Sequence, residues 1–545
     1  MPEELDLLLV HPSHTKVYQE EQEAAAYPAL EPPYLAALTA EFVRNNGHSV
    51  DILDANVNGL TQEQTARAIE ERNPRLTHFV VHGNQPSASS QLMDWVTDVS
   101  RKVKDSGAST RILLTGTHPA ALPELTLEEK AFDYVGRGEG FSTPLDLLTG
   151  KSNAEVRGLW YRENGNIAHG PAERLMSSAE LSAALPRAAW DLLPVKKYRA
   201  HDWHCLDDLD ARQPYAAIYT SFGCPFDCEF CCINAPFDEE GTRKHDIRFR
   251  DPSLVADEIE SLVDEHGIRN LKIIDEMFVL NRRHYVGLAQ ELIRRGLGEQ
   301  LNIWAYARVD TIHEGNLNTL KQAGINWLGL GIESGSDHVR DGIEKGGRFG
   351  YNEIKANVRK VQDAGIYVVS NFIFGLPDDT EQTMQQTLNL AMELNTERPN
   401  FYCAMAYPGS ALHRQAQNTS HLLKSGRTAS ALRDKNQLTV LDKRQVPLPI
   451  PNDWNPNRAL LPEDSGGPGW IGYSQHAYET WPLPSAYLHP EQILAFRDSA
   501  LPQFFNNPSY RAMLEQKFGK RTAERFIAVN AKPPSKRMIL GHFRG

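Results

Sequence analysis

The sequence predicts an α/β chain in three folded parts: a doubly wound parallel sheet, a partial β/α barrel of six units, and a mostly helical C-terminal cap. Three observations predict it. Strand and helix patterns alternate, loosely over residues 1–150 and more regularly over 213–407. The strand candidates are continuous apolar runs, as strands covered on both faces are. The alternation stops near residue 407, and a polar, proline-rich stretch follows. At 545 residues the chain is too long for one compact core.

The first part opens with the run from Leu5 to Val10, ending in His11-Pro12. Pro33 to Asn45 then has helical spacing, with Tyr34, Leu35, Leu38 and Phe42 on one face, and Gly47 stops it. A strand follows over Ser49–Leu53. Two more cycles run from a helix over Gln62–Arg72 to a strand over Thr77–Val81, and from a helix around Leu92–Val103 to a strand over Arg111–Thr115. An open parallel sheet binds ligands in the loops at strand C-terminal ends. Here those loops are His11–Tyr27, His82–Ser90, Gly116–Pro123 and Gly136–Gly140, rich in Gly, Ser and His. No GxGxxG follows the first strand, which argues against a dinucleotide.

Residues 151–212 read as a connector, and the His and Cys groups of its segment His201–Cys205 as packing residues. Over residues 213–407 the strand candidates are Ala216–Ser221, Leu271–Ile274, Asn302–Ala307, Trp327–Gly331, Tyr367–Phe374 and Asn400–Ala406. One intervening helix opens with Asp251 as N-cap and Pro252 at N1, then sets Val255, Ile259 and Leu262 on one face. In a β/α barrel, function belongs at the strand C-terminal ends. Residues 408–545 form the C-terminal part. Its Pro-rich stretch at 418–469 reads as a long loop or insertion. Helix returns from Pro490 onward with Ile493, Leu494, Phe496, Leu501, Phe504 and Phe505. The aromatic patch Gly469–Trp481 reads as cap packing, with closure of the barrel mouth as the alternative.

Composition excludes several classes. Hydrophobic residues make up 41% and charged residues 23%, which rules out whole-chain disorder, collagen and coiled coil. A net charge of −13 argues against binding a nucleic-acid backbone, which needs clustered Lys and Arg. The opening residues Met1–Asp6 lack the positive region of a signal peptide, and no apolar run of about 18 residues occurs. The expectation is a cytoplasmic protein with no membrane span and no nucleic-acid partner.

The six cysteines stand at 205, 224, 228, 231, 232 and 403, so four lie within nine residues. Cys224, Cys228 and Cys231 form CxxxCxxC directly after a barrel strand. A structural zinc site takes four protein ligands, and a ferredoxin cluster takes four with different spacing. Three thiolates on one loop suit a [4Fe-4S] cubane whose fourth iron stays open. Cys205, Cys232 and Cys403 read as packing residues.

This motif, with the aromatic Phe230 before its third cysteine, resembles the radical S-adenosylmethionine (SAM) superfamily. The resemblance implies that SAM chelates the open iron and that an electron from the cluster cleaves it to methionine and a 5′-deoxyadenosyl radical. It places SAM contacts at Asp275 and Glu276 for the amino group, and at Arg308 for the SAM carboxylate or substrate. Glu333 and Ser334 fall in the region that meets the ribose and methionine part. Ile373 and Gly375 fall in an adenine-binding segment resembling GxIxGxP, whose first Gly is replaced here by Asn371.

A doubly wound domain before such a barrel resembles the cobalamin-binding branch of that superfamily. The matching segments are Glu31–Leu38, Gly116–Pro123 and Arg137–Gly140. They imply cobalamin contacts at Gly116, Thr117 and His118 and at the turn Gly138, Glu139, Gly140, with Ser87, Ser89 and Ser90 near the nucleotide tail. The DxHxxG signature that supplies a lower cobalt ligand is absent. The resemblance then implies cobalamin held base-off without a protein His, with a domain that has lost its ligand as the alternative; the sequence leaves the lower axial ligand open. The resemblance further implies a methyltransferase acting on an unactivated carbon of a small metabolite, lipid or glycan precursor. A non-methylating oxidation, cyclisation or rearrangement is the alternative within the family, and a non-catalytic metal or cobalamin module the alternative outside it. The implied partners are a small-molecule substrate and a reductant such as flavodoxin or ferredoxin. The sequence leaves the oligomeric state open.

Overall fold

The computed structural model describes residues 5–13, 28–239, 242–243, 246–343, 349–426, 446–464, 467–533 and 536–541. Much of the first predicted loop, His11–Tyr27, lies outside them. Two parallel sheets carry the described chain. In the first, β1 (Leu7–His11), β2 (Val50–Asp54), β3 (Leu76–Val81), β4 (Arg111–Gly116) and β5 (Tyr134–Gly136) run in the order 2-1-3-4-5. Helix α1 (Tyr34–Asn45) covers the face of Leu7 and Leu9, while α2 (Gln62–Arg72) and α3 (Met93–Asp105) cover the face of Leu8 and Val10. Both faces of β1 are thus buried, which is why it reads as an unbroken apolar run. Helix α1 is buried more broadly than its predicted stripe, with Ala36, Ala37, Thr39 and Ala40 buried as well.

A hairpin, β6 (Leu159–Glu163) and β7 (Asn166–His169), extends this sheet with two antiparallel strands. It lies inside the stretch read as a connector. Its alternating burial marks a half-exposed edge hairpin, a pattern distinct from the apolar runs that guided the reading.

The second sheet holds six parallel strands side by side in sequence order: β8 (Tyr215–Ile218), β9 (Asn270–Ile273), β10 (Asn302–Arg308), β11 (Ile325–Glu333), β12 (Tyr367–Phe374) and β13 (Arg398–Cys403). Helix α4 (Pro252–His266) forms as its cap predicts: the Asp251 side chain accepts from the Ser253 N–H, and Val255, Ile259 and Leu262 are buried. Trp203 plugs the N-terminal end of the barrel, its ring edge-on to Trp304 at 5.1 Å and Trp327 at 5.3 Å. His204 beside it is fully buried, so the His201–Cys205 segment is packing.

The C-terminal part closes the far side. Helix α5 (Pro490–Phe505) packs Phe496 on Phe374 at 5.1 Å and Phe504 on Phe401 at 5.6 Å. The Pro-rich stretch is more ordered than predicted. Residues 418–424 belong to the helix Ala411–Lys424, and Leu448, Ile450, Leu460 and Leu461 are buried. Scattered apolar residues between prolines carry no periodicity, so their packing does not show in the sequence. Residues 427–445 of that stretch lie outside the described residues.

The two sheets are joined by buried ionic networks. Glu258 on α4 accepts from the Ala188 N–H at 3.0 Å, Trp190 Nε1 at 2.8 Å, Tyr34 Oη at 2.9 Å and Arg250 Nη2 at 2.9 Å. Arg250 also donates to Tyr34 Oη at 2.7 Å and to the Pro186 carbonyl at 2.7 Å. A second pair, Lys272 on β9 with Glu31 before α1, meets at 3.0 Å, and Lys272 also donates to the Asn84 carbonyl at 2.8 Å.

Candidate active site

Every SAM-side residue picked out from the sequence stands at or beyond the C-terminal end of a barrel strand: the cysteine loop after β8, Asp275-Glu276 after β9, Arg308 on β10, Glu333 on β11 and Gly375 after β12. Parallel strands in sequence order put those ends on one rim, which is why residues 150 positions apart converge there.

On the cysteine loop, the Cys231 N–H donates to the Cys228 carbonyl at 3.0 Å, turning the chain so that Cys228 and Cys231 line one small cavity with Phe226, Asp227, Asn234, Ala235 and Gly409. The loop is clamped from the C-terminal part, where the Leu412 N–H donates to the Glu229 carbonyl at 3.0 Å. Among the described residues, no three His, Cys, Asp or Glu side chains converge on a single ion. A cubane asks for something else, since each thiolate holds a different iron. Burial pushes the Cys224 thiol up to about 12 and raises the Cys231 thiol well above its ordinary value, so thiolates here need a cationic partner, which iron supplies. Three cysteines on one loop fit a [4Fe-4S] cluster with one iron left open. Cys224 and Cys232 are buried outside the lining of that cavity, and Cys205 and Cys403 are buried elsewhere.

Arg308 reaches the loop. Its guanidinium lies 4.0 Å over the Phe226 ring, donates to Cys228 Sγ at 3.8 Å and pairs with Asp310 at 2.9 Å. Phe230 and Ile373 pack together with Leu376, Val339 and Ala404. Glu333 is buried at a register shift in β11 and takes φ +66°, a conformation costly for a residue with a side chain. The Ser334 hydroxyl accepts from the Ser336 N–H at 3.1 Å, and Arg340, fully buried, donates to the Ser334 carbonyl.

Two SAM assignments change character. Asp275 is spent internally: it accepts from the Thr220 N–H at 2.6 Å, from the Thr220 hydroxyl, and from the Ser221 hydroxyl at 2.7 Å, fixing the turn into the cysteine loop. Its neighbour Glu276 keeps its carboxyl towards the interface, where Tyr219 Oη donates to it at 3.5 Å. Gly375 has φ +80°, and a Cβ there would fall 2.5 Å from Ile493 of α5. Glycine is thus required by the turn and by helix packing. Gly375→Ala is expected to cost on the order of 1–3 kcal/mol and to lower the melting temperature measurably.

Burial and the neighbouring Asp275 raise the Glu276 carboxyl to about 8. A carboxyl raised in the folded state binds a proton that the unfolded chain releases near its ordinary value of 4.5. The cofactor-free protein therefore loses stability as pH rises from about 4.5 to about 8, by up to about 1.4 kcal/mol per pH unit for this one proton. Glu276→Gln should flatten that slope in denaturant titrations at pH 5 and pH 8; an unchanged slope refutes the assignment.

On the first sheet, the strand order 2-1-3-4-5 places the switch point between β1 and β3. A cavity opens there, lined by His11, Pro33, Tyr34, Val80, His82 and Asn84 from the first sheet's side and by Tyr219 and Ile274 from the barrel. Tyr219 Oη lies 3.3 Å from His82 Nε2, so one phenol touches a residue of each half. Tyr219 and His82 carry no sequence motif; only the packing of the two sheets brings them together. Gly116 is required by the sheet itself, since with φ +120° its Cβ would fall 2.0 Å from the Val81 carbonyl oxygen. Thr117, Ser89 and Ser90 are buried beside it and Ser87 is half-buried.

Other residues of the first domain are engaged differently from their predicted roles. His118 lies 3.0 Å from the Ser90 hydroxyl and edge-on to Trp470 at 4.4 Å, and burial depresses it to about 3, so it is a neutral packed ring. Trp470 therefore does cap-packing work on the first domain. Glu139 is buried against Arg248 at 2.7 Å and accepts from the Met176 N–H at 3.3 Å. Gly138 leaves room for Glu173, whose Oε2 would stand 1.7 Å from an added Cβ, and the Gly140 N–H donates to Glu173 at 3.5 Å. The turn thus serves the joint between the domains, because its carboxylate finds an arginine supplied by the barrel segment.

The geometry defines a class: a cluster-bearing partial barrel facing the ligand edge of a doubly wound sheet. Residues 218–391 match the radical SAM superfamily and residues 24–148 match the B12-binding domain, together more than half of the chain. The chain belongs to the cobalamin-binding radical SAM superfamily and is an enzyme of it. Its cofactors are a [4Fe-4S] cluster, SAM and cobalamin.

The chain is similar to an uncharacterized methyltransferase of Pyrococcus horikoshii, at 29% identity over 72% of this chain and 80% of that protein. It is also similar to the anaerobic magnesium-protoporphyrin IX monomethyl ester cyclase of Rubrivivax gelatinosus, at 26% identity over 70% of this chain and 66% of that one. The fold matches the methyltransferase TsrM of Kitasatospora setae with cobalamin and a [4Fe-4S] cluster bound, with a TM-score of 0.60, 20% identity, and coverage of 76% of this chain and 79% of that one. It also matches OxsB with aqua-cobalamin and SAM bound, with a TM-score of 0.55, 18% identity, and coverage of 72% and 52%.

Proposed function

We propose that the protein is a cobalamin-dependent radical SAM methyltransferase acting on an unactivated carbon of a small metabolite, lipid or glycan precursor. The cavity at the β1/β3 switch point carries this reading, because it is walled on one side by the cobalamin-type sheet and on the other by Tyr219 and Ile274 of the SAM barrel. When bound, the cluster supplies the electron that cleaves SAM and cobalamin supplies the methyl group. The chain's own work is positional. Cys224, Cys228 and Cys231 hold the cluster, Arg308 and Glu276 stand where the polar end of SAM would lie, and Gly116, Thr117 and the serines at 87, 89 and 90 border the cobalamin side. Holding both cofactors against one enclosed space is what converts separate encounters into an oriented transfer.

The similarity to the Pyrococcus methyltransferase supports methyl transfer. The cyclase similarity keeps a non-methylating reaction as the second reading. The electron donor in this proposal is a small flavodoxin or ferredoxin. No helix among the described residues is long and apolar enough to cross a membrane.

Anaerobic turnover with reductant separates the readings. Methyl transfer with a second SAM gives 5′-deoxyadenosine together with S-adenosylhomocysteine. Formation of 5′-deoxyadenosine alone, with substrate converted, would reject the methyltransferase reading in favour of the second.

A further inference from the structure

Within the barrel, the inward side chains of β11 to β13 and Tyr306 of β10 form a hydrogen-bonding set without formal charge, at the level where Arg308 of β10 is paired with Asp310. On β11 two positions, Gly329 and Gly331, carry no side chain, and the Tyr306 ring lies over Gly329, where an added Cβ would stand 2.9 Å from it. On β12 and β13, Asn371 is paired in register with Asn400 and Ile373 with Tyr402. Asn400 Nδ2 donates to Asn371 Oδ1 at 3.0 Å, and Asn371 Nδ2 donates to the Leu330 carbonyl at 3.4 Å.

Both ends of the Asn371 amide are thus engaged, whereas the Asn400 oxygen has no hydrogen-bond partner among the described residues. The Tyr402 hydroxyl has none there either, although burial holds the phenol neutral. Tyr306 accepts from Gln85 Nε2, which comes from the loop after β3 of the first domain. The outward neighbours Leu330, Phe372, Phe401 and Cys403 are buried under helices, whereas Tyr306, Asn371, Asn400 and Tyr402 all keep partial exposure. Exposure on the inward side of a barrel whose outer side is sealed marks solvent-reachable space inside it.

We propose that Asn371, Asn400, Tyr402 and Tyr306 bind the substrate, and that the substrate presents an uncharged hydroxyl- or amide-bearing part to them. The inference deepens the proposed function and rests on its reading of the chain as an enzyme acting on a small molecule. Glycines on β11 provide the floor, and the amides and phenols provide donors and acceptors with no formal charge. The charged groups nearby are paired or stand at the rim: Arg308, level with the amide pair on β10, is held by Asp310 at 2.9 Å and reaches the cysteine loop. Arg398, lower on β13, donates to Asn530 at 2.5 Å and lies over the Phe505 ring. Lys272 is paired with Glu31. Glu333 stands at the rim among the SAM-side residues. A carboxylate or phosphate placed at the amide pair would lose its hydration while the cation at that level, Arg308, is already paired with Asp310. A hydroxyl or amide would complete bonds that the pair leaves open, and half-made polar sets are costly inside a protein. The sequence carries a trace of this surface, since Asn371 stands where the resembling motif has Gly.

The test is equilibrium dialysis of the intact, anaerobically purified protein against a metabolite extract, with retained compounds identified by mass spectrometry. The expected result is retention of uncharged compounds bearing hydroxyl or amide groups, lowered about tenfold or more by Asn400→Ala and by the near-isosteric Tyr402→Phe. Iron and cobalamin content of each variant reports that it is folded. Retention of charged compounds only, retention unaffected by Tyr402→Phe, or no retention overturns the inference. A retained neutral compound that turns over without S-adenosylhomocysteine overturns methyl transfer and leaves this binding surface standing. A charged compound that is methylated does the reverse.

Discussion

Replacing any one of Cys224, Cys228 or Cys231 with Ala is expected to abolish the cluster. After anaerobic reconstitution the variant should hold fewer than about three irons per chain, with SAM cleavage lost. The reason is geometric as well as chemical. All three thiols sit on one loop whose shape is set from outside it, by Asp275 gripping Thr220 and Ser221 at its start and by the Leu412 N–H holding the Glu229 carbonyl at its end. No fourth cysteine stands in the CxxxCxxC spacing, and Cys232, directly after Cys231, falls outside it. Cys232→Ala should therefore retain iron and sulfide. Zinc in place of iron in the unaltered protein, or full iron in a Cys231→Ala variant, would reject the assignment.

The largest loss of stability is expected from Glu258→Ala. That carboxylate receives four donors, among them the Arg250 guanidinium, and both side chains are almost fully buried. Truncating it strands a buried cation and three further polar groups, at a cost of about 3–5 kcal/mol, to be read from urea or thermal unfolding. Removing both charges in Glu258→Leu/Arg250→Met should cost less than Glu258→Ala alone, because no unpaired charge remains. A loss below about 1 kcal/mol for Glu258→Ala would show that the network does not hold the joint. The same bonds tie Tyr34 of α1 to α4, so the single variant should also weaken cobalamin retention by loosening the wall of the cavity between the sheets.

Periodicity was sufficient for most elements. The helix Gln62–Arg72 and the strand Tyr367–Phe374 form with their predicted bounds, because a capping box marks the start of the first and turn residues bound the second. Edge structure was harder to read. The hairpin β6–β7 shows only a short alternation, and the apolar anchors of the proline-rich stretch have no regular spacing.

Within the site, legibility followed the kind of chemistry. A cluster needs several ligands on one short loop, so Cys224, Cys228 and Cys231 are adjacent in sequence. Glycines needed for turns are also visible, although what they make room for is not: Gly375 clears Ile493, and Gly138 clears Glu173. Carboxylates misled in pairs. Asp275 and Glu276 are neighbours with opposite fates, one absorbed by the start of the cysteine loop and one left at the interface with Tyr219. Side chains that meet only when two sheets pack have no local signature, and His82 with Tyr219, Glu31 with Lys272, and Arg250 with Glu258 are all of this kind.

The sequence by itself determined the two-sheet architecture, the cysteine loop and its iron chemistry, and the family those features define, because each is written in local spacing. Only the tertiary structure decided which polar residues of that site are structural and which remain open to ligands. A buried charge or hydroxyl is committed by whatever partner folding brings within hydrogen-bond reach, and those partners stand far away along the chain.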